Sequence, residues 1–227
     1  RGEILEKGDL RTDAYPKVEE FVDALYEAVK PIIQKNTVEK TIKGIGIGAP
    51  NGNPFSGTIE YAPNLRWRGV IPLCDLVTAK FKTPSVINND AKAAAIGEMT
   101  YGAARGMKDF IMITLGTGVG SGIVANGHLI YGHDGFAGEL GHTIVIPDGR
   151  IHAGTGKKGS LESYASATGV RLTAIEFLEK SKKPSLLKKV PADMLDSKAV
   201  YDAAIEGDEL AKEIFNYTGK ILGIALA

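Results

Sequence analysis

The stretch Ile87-Asn88-Asn89-Asp90-Ala91 joins a short apolar run to an alanine-rich segment that continues to Glu98. Such a pattern predicts a strand that turns directly into a helix, with a carboxylate at the turn. α/β sheets place binding groups at this point, because the carboxyl end of the strand opens onto a crevice and the helix N-terminus offers backbone N–H groups. Asp90 is therefore a candidate catalytic base. Helix capping is the alternative, since Asp is also preferred at helix N-termini.

The first hundred residues alternate between helix and strand patterns, which predicts an α/β fold class. Apolar residues at three- and four-residue spacing indicate a helix that begins near Pro16 and ends near Pro31. The elements predicted after it are a strand around Ile45 and Ile47, a helix from Ile71 to about Phe81, a strand from Ser85 to Asn88 and a helix from Ala91 to about Ala104. We place a domain boundary near Gly106, which gives domains 1–105 and 106–227.

In the second half of the chain, predicted strands precede predicted helices. The Asn126-Gly127 pair lies between apolar runs and is typical of a two-residue hairpin turn, because both central positions need a positive φ. The elements predicted around it are a strand from Phe110 to Leu115, a strand on either side of the turn, a strand from Thr143 to Ile146, and helices that begin near Leu161, Thr168, Ser197 and Asp208.

Charge and composition exclude several classes of protein. The 27 basic residues balance the 27 acidic ones and form no cluster denser than an adjacent lysine pair, so this portion lacks the charge pattern of a nucleic-acid-binding surface. No apolar run is long enough to span a bilayer and no signal-peptide pattern is present, so we expect a cytoplasmic protein without a membrane partner. The single Cys74 lies in an amphipathic helical pattern and is expected in the core.

A glycine-rich segment, Gly116-Thr117-Gly118-Val119-Gly120, follows the strand predicted to end at Leu115. It is not a dinucleotide fingerprint, because Ser121 occupies the position of the third required glycine and a strand rather than a helix follows. A Walker A loop is also missing from the sequence. The segment is either a plain β-turn or a turn whose backbone N–H groups bind phosphate oxygens, with Thr117 at its tip.

Two further carboxylates and an imidazole stand in glycine-flanked positions downstream. Glu139 and His142 are three positions apart, so both can face one pocket whether the segment is a helical turn or a loop. Glu162 follows in the segment Gly159-Ser160-Leu161-Glu162. A structural pair is the alternative for Glu139 and His142. A zinc site is disfavoured, because beyond His142 only His133 or His152 could join it and no Cys is nearby.

Six segments of the chain resemble the ROK family of sugar kinases and sugar-responsive repressors, in the order in which that family carries them. They are Gly46-Ile47-Gly48-Ala49-Pro50, Asn64-Leu65-Arg66-Trp67, Asn89-Asp90-Ala91, Leu115-Gly116-Thr117-Gly118-Val119-Gly120, Ala137-Gly138-Glu139-Leu140-Gly141-His142 and Gly159-Ser160-Leu161-Glu162. The resemblance implies the actin-like, ribonuclease-H-like two-domain ATPase fold, with a hexose bound between the domains and ATP and Mg²⁺ held over it. From the same resemblance we expect a homodimer.

By the same resemblance, Asp90 takes the proton from the hydroxyl that attacks the γ-phosphate. The residues implied in sugar binding are Asn64, Asn89, Asp90, Glu139, His142 and Glu162, and those implied in nucleotide binding are Gly116, Thr117, Gly118 and Gly120. These residue types suit the chemistry, because phosphoryl transfer needs mainly positioning, with a carboxylate within about 3 Å of the attacking hydroxyl.

Two features depart from the family pattern. The amino-terminal phosphate loop and the carboxy-terminal part are missing, and the chain begins with Arg1 rather than Met, so we expect the middle of a longer chain that is inactive alone. The family's zinc motif, Cys-x-Cys-Gly-x-x-Gly-Cys, has Ala153, Thr155 and Ser160 at its three Cys positions. Without thiolates we expect no zinc, and the loop from Asp148 to Ser160 must be held by other means.

The resemblance therefore implies ATP-dependent phosphorylation of a hexose, with glucose 6-phosphate as the first candidate product. N-acetylmannosamine, N-acetylglucosamine and fructose are alternative acceptors. A sugar-sensing repressor of the same family is the second candidate, although a sensor needs no base and Asp90 favours the enzyme. An unrelated hydrolase, with Glu139 and Glu162 as acid and base, is the third.

Overall fold

The computed structural model describes residues 3–36 and 42–227, with the side chains of residues 35 and 36 excepted. The chain forms two compact units: residues 1–112 and 122–138 make up the first, and residues 113–121 and 139–227 make up the second. The segment 122–138 returns to the first unit, so the units do not follow the linear order of the chain. The division into domains 1–105 and 106–227 stays a prediction.

The first unit combines helices with two small sheets. In chain order its main elements are α1 (Val18–Asn36), β1 (Ile45–Ala49), β2 (Gly52–Asn53), β3 (Thr58–Glu60), β4 (Val70–Ile71), α2 (Leu73–Phe81), β5 (Ser85–Asn89) and α3 (Asp90–Tyr101). Strands β1 and β5 pair in parallel, with Ala49 opposite Asn89, while β2, β3 and β4 form an antiparallel sheet. The alternation of helix and strand agrees with the predicted α/β class.

Helices α1 and α2 cover the core of the first unit. Val22 of α1 and Val77 of α2 are buried there beside Ile87 of β5. Burial of a side chain of this size stabilises the fold by about 1.5–3 kcal/mol. Cys74 is also buried in this cluster, as its helical pattern predicted, and burial raises the pKa of its thiol. The thiol is therefore protonated at neutral pH and unreactive.

Helix α1 does not end near Pro31, as the sequence predicted, but continues to Asn36. Proline removes one backbone donor and crowds the preceding turn, which is why a helix often ends there. Here the residues that follow, Ile32 and Ile33, are half-buried. Their burial favours continuing the helix past the proline.

Strands β6 (Phe110–Leu115), β7 (Val119–Ala125) and β8 (His128–Leu129) form a three-stranded sheet in that order. Strands β7 and β8 are antiparallel, and the turn between them has φ values of 53° at Asn126 and 78° at Gly127. Both values are positive, as a two-residue hairpin of this kind requires. The predicted hairpin is therefore confirmed.

The predicted strand from Thr143 to Ile146 is wrong. Only Ile144 makes a bridge, to Ser160. The N–H groups of Val145 and Ile146 both donate to the carbonyl of Gly159, at 2.9 and 3.2 Å. Two consecutive donors that converge on one carbonyl cannot form the alternating ladder of a strand. The apolar run therefore folds as a bend rather than as a strand.

The second unit ends in four helices, α4 (Glu162–Ala165), α5 (Ala167–Lys180), α6 (Ser197–Ile205) and α7 (Glu209–Leu226). Ser166, Asp196 and Asp208 cap α5, α6 and α7 by accepting hydrogen bonds from backbone N–H groups. These helices begin within a residue or two of the predicted starts. Among the described residues, none of the helices combines the length and apolar character needed to cross a bilayer.

Candidate functional site

Asp90 is the first residue of α3, at the end of the parallel strand β5. Its neighbour Asn89 caps the helix, with Oδ1 accepting hydrogen bonds from the N–H groups of Ala91 at 3.0 Å and Lys92 at 3.2 Å. The Asp90 carboxylate accepts one bond from the Ala91 N–H at 2.8 Å, and the residue is exposed. Asn89 therefore does the capping, and the Asp90 carboxylate is open to solvent.

The end of β5 is fixed by polar contacts within the first unit. Asn88 is buried and donates from Nδ2 to the hydroxyl of Tyr131 at 3.0 Å. Lys92 is fully buried, and its Nζ donates to the carbonyl of Gly135 at 2.6 Å. A lysine is almost never buried completely unless it is paired. These two residues thus anchor the strand end and the first turn of α3 to the segment that contains Tyr131 and Gly135.

Sequence reasoning missed the structural role of Lys92. A long cationic residue inside an alanine run was the signal that could have revealed it. Asn64, the other predicted sugar-binding residue of the first unit, lies exposed in a turn between β3 and β4. The first unit thus carries Asn64, Asn89 and Asp90.

The glycine-rich segment forms a tight turn between β6 and β7. Gly116 N–H donates to the carbonyl of Gly118 at 3.0 Å, and the Gly116 carbonyl accepts from Ala167 N–H at 2.9 Å. Thr117 is exposed at the tip, as predicted, whereas Gly120 lies inside strand β7. We call residues 116–118 the glycine turn.

Glu162 connects the start of β7, directly after the glycine turn, to a neighbouring loop of the second unit. Its Oε2 accepts a hydrogen bond from Val119 N–H at 2.7 Å, and its Oε1 lies 2.5 Å from Nε2 of His152. A Cβ placed at Gly118 would come within 2.4 Å of the same Oε2. Glycine at this position therefore leaves the room that the carboxylate occupies.

His142 and Glu139 lie on a short helical turn in the second unit. His142 N–H donates to the carbonyl of Glu139 at 3.1 Å. The ring of His142 is exposed and meets the ring of His152 edge to face, with 5.6 Å between centroids. The structure therefore brings His142 and Glu162 together around His152, a residue that the sequence suggested only as a metal ligand. Glu139, three positions before His142 in the chain, is half-buried.

Arg150 fastens the loop from Asp148 to Ser160. Its guanidinium donates to the carbonyls of Ser163 at 3.0 Å and Gly169 at 3.1 Å, and to Oε1 of Glu176 at 2.7 Å. The hydrogen bond from Arg150 is the main cause that lowers the pKa of the Glu176 carboxyl. These charge-assisted bonds hold the loop against α4 and α5.

The three positions that hold cysteine in the family's zinc motif do not fit a zinc ion here. Ala153 has no donor atom, Thr155 Oγ1 lies 2.9 Å from Nδ1 of His152, and Ser160 Oγ lies 2.9 Å from Ser163 Oγ. In residues 3–36 and 42–227, no group of three or more His, Cys, Asp or Glu side chains is arranged to hold a metal. Zinc prefers thiolate and imidazole ligands, so neutral hydroxyls already engaged with other side chains are poor substitutes.

Comparison with known proteins assigns this chain a family. The family model described as ROK family matches residues 1–227. A glucokinase of Halalkalibacterium halodurans is 38% identical over 229 residues, which cover 100% of this chain and 69% of that protein. A xylose repressor of Caldicellulosiruptor bescii is 31% identical, with coverage of 92% of this chain and 52% of the repressor.

A solved structure of the same family is also similar to this chain. The ROK family glucokinase of Streptomyces griseus, crystallised with glucose and AMPPNP, is 35% identical to this chain, with a TM-score of 0.75. The alignment covers 93% of this chain and 68% of that enzyme. The match confirms the predicted α/β, actin-like fold class.

Proposed function

This chain belongs to the ROK family, and we propose that its protein is an ATP-dependent hexose kinase with glucose as the first candidate acceptor. The observation that carries the proposal is the exposed Asp90 carboxylate at the end of β5, beside a helix cap supplied by Asn89. The chain spans 69% of the Halalkalibacterium glucokinase. Because this coverage is partial, the activity is proposed for the complete gene product.

Asp90 is the proposed general base. Phosphoryl transfer depends mainly on positioning and charge stabilisation, so the protein needs one carboxylate that accepts the proton of the attacking hydroxyl. Within residues 3–36 and 42–227, the Asp90 carboxylate accepts a hydrogen bond only from Ala91 N–H, and its exposure leaves it accessible to a substrate hydroxyl. The capped start of α3 fixes the backbone from which the Asp90 side chain extends.

The proposed hexose-binding groups are six polar side chains: Asn64, Asn89, Asp90, Glu139, His142 and Glu162. A hexose presents several hydroxyls, and a mismatched hydroxyl leaves a buried polar group unpaired at a cost of about 1–3 kcal/mol. A set of carboxylates, amides and an imidazole can therefore select one stereoisomer. Glucose agrees with the names of the Halalkalibacterium and Streptomyces relatives.

The glycine turn is the proposed site for the phosphates of ATP. Gly116 N–H is engaged by the carbonyl of Gly118, so the proposed donors are the N–H groups of Thr117 and Gly118 and the exposed Thr117 hydroxyl. Gly120 lies in the strand that follows and would keep that backbone accessible. Mg²⁺ would arrive with ATP and neutralise charge on the transferred phosphoryl group.

A sugar-sensing repressor remains the second candidate, because the Caldicellulosiruptor xylose repressor is also a relative. A sensor would bind a sugar through the same side chains without consuming ATP. N-acetylmannosamine, N-acetylglucosamine and fructose stay alternative acceptors, and the homodimer stays a prediction.

The deciding experiment measures ADP release by the complete gene product across a panel of hexoses. The kinase proposal expects ADP release that depends on one hexose and is lost in Asp90→Asn. Hexose binding by calorimetry without ADP release would instead support the sensor. Release of free sugar from a glycoside without ATP would support the hydrolase.

A further inference from the structure

The ring of His152 is held between a backbone turn and the Glu162 carboxylate. Nδ1 accepts a hydrogen bond from Thr155 N–H at 3.1 Å, while Nε2 lies 2.5 Å from Glu162 Oε1. A Cβ at Gly154 would approach Cε1 of the ring to 3.0 Å, so the backbone also closes over the ring. The side chain is only 14% exposed. His152 therefore has one well-defined orientation.

These contacts determine which nitrogen of His152 carries the proton. A backbone N–H can only donate, so Nδ1 must accept and carries no proton. In a neutral imidazole the other nitrogen is then protonated. Nε2–H consequently donates to Glu162 Oε1, and the contact is a directed hydrogen bond rather than a loose approach of two polar groups.

The Glu162 carboxylate is held through both of its oxygens, because Oε2 accepts from Val119 N–H at 2.7 Å while Oε1 accepts from His152. An ionised carboxylate offers about four acceptor positions, so about two remain for a ligand. The two bonds fix the plane of the carboxylate and therefore the directions of the remaining positions.

We propose that His152 is a positioning residue for hexose recognition, because it orients the Glu162 carboxylate whose remaining acceptor positions bind sugar hydroxyls. The inference deepens the proposed kinase function and rests on it. Without the bond from His152, the Glu162 side chain would regain rotamer freedom that it must lose again when sugar binds. We expect this loss to weaken hexose binding by about tenfold.

Two substitutions of His152 distinguish the contact at Nδ1 from the contact at Nε2. In His152→Asn, the amide oxygen can replace Nδ1 and keep the bond from Thr155, but the side chain is too short to reach Glu162. In His152→Gln, the longer amide can place its NH₂ near the position of Nε2 and donate to Glu162. His128→Ala, a change at an exposed histidine of β8, is the matched control.

The experiment measures KM for the best hexose, KM for ATP, kcat and melting temperature of the complete gene product. We expect His152→Asn to raise the hexose KM by about tenfold while the ATP KM changes by less than about twofold. His152→Gln should recover most of the hexose affinity, and His128→Ala should match the wild type. The amide resonance of Val119 should move in His152→Asn and return in His152→Gln.

The outcomes that overturn the proposal are distinct. A wild type that phosphorylates hexose together with a His152→Asn variant of unchanged hexose KM overturns the role of His152 and leaves the kinase proposal intact. Equal rises in the KM for hexose and for ATP would assign His152 a purely structural role. A wild type that neither binds nor phosphorylates any hexose overturns the proposed function and this inference with it.

Discussion

The side chain of Asn89 caps the helix whose first residue is Asp90. Its Oδ1 accepts hydrogen bonds from the N–H groups of Ala91 at 3.0 Å and Lys92 at 3.2 Å. The sequence left open that Asp90 caps the helix, and the structure gives this task to Asn89. The adjacent carboxylate is therefore not needed to hold the helix start.

Asp90→Asn should abolish the proposed base without disturbing the helix. The amide oxygen of Asn can still accept the bond from Ala91 N–H, so we expect hexose affinity and melting temperature to stay near those of the wild type. The kcat should fall by about 10²–10⁴-fold, the effect typical of losing acid–base assistance. Steady-state kinetics and calorimetric hexose titration measure the two quantities.

Asn89→Ala is the contrasting variant, since it removes the cap and should cost about 0.5–2 kcal/mol of stability. Turnover of Asp90→Asn close to the wild-type value would show that another group acts as the base.

Gly118→Ala should impair hexose binding as well as ATP binding. If the turn binds phosphate, a side chain in it obstructs the phosphate, and the Cβ added at Gly118 would also lie 2.4 Å from Oε2 of Glu162. The carboxylate must move and lose its bond from Val119. We expect the hexose KM to rise by about tenfold or more.

Gly116→Ala is the matched control for this variant, because its Cβ would meet no atom within 4 Å. It should raise the KM for ATP alone if the turn binds phosphate. A hexose KM that rises equally in both variants would contradict the separate role of Gly118. Thermal melts of both proteins exclude a general loss of folding.

The strand-to-helix turn at Asp90 could be predicted from sequence, because its signals are local. An apolar run, a capping residue and an alanine-rich segment are read within a dozen positions, and the Asn126-Gly127 turn is equally local. The proposed roles of Glu139, His142 and Glu162 were recognised through family resemblance rather than through periodicity.

The role of His152 could not be predicted in this way. Its contact with Glu162 depends on how the loop between them closes on itself, through bonds such as His152 N–H to the carbonyl of Lys157 at 2.8 Å. The same loop also explains why residues 143–146 do not form the predicted strand. The N–H groups of Val145 and Ile146 both donate to the carbonyl of Gly159, which lies in this loop. Apolar pattern carries no information about such convergence.

Asp208→Asn should lower stability and flatten its dependence on acid pH. Burial opposes ionisation of Asp208, but bonds from Ala211 N–H, Ser185 Oγ and Leu186 N–H together outweigh it and lower the pKa of the carboxyl. Because the folded pKa lies below the unfolded value of about 3.9, the stabilisation is present above that pH and is lost as the pH falls through the folded pKa.

We therefore expect Asp208→Asn to lower the free energy of unfolding at pH 7 by about 1–3 kcal/mol, with a smaller difference from the wild type in strong acid. Urea titrations at several pH values measure both. Asp202→Asn, at an exposed carboxylate paired with Lys198, is the control and should change stability by less than about 1 kcal/mol. A difference that grows in acid would contradict the sign of the pKa shift.

The last prediction is that the purified gene product carries no stoichiometric zinc. A structural zinc usually needs four ligands, and Ala153, Thr155 and Ser160 replace the thiolates that would supply three of them. The loop is instead fastened by Arg150, whose side chain is 11% exposed, and by the bond from His152 to Glu162.

A chelator that strips zinc should consequently leave both the melting temperature and the hexose-dependent ADP release unchanged. Elemental analysis provides the direct measurement, and a zinc-loaded ROK protein with the complete cysteine motif is the positive control. One zinc per chain would contradict the prediction. The zinc would then bind His142 and His152, whose ring centroids lie 5.6 Å apart, and the hydrogen bond from His152 to Glu162 would break.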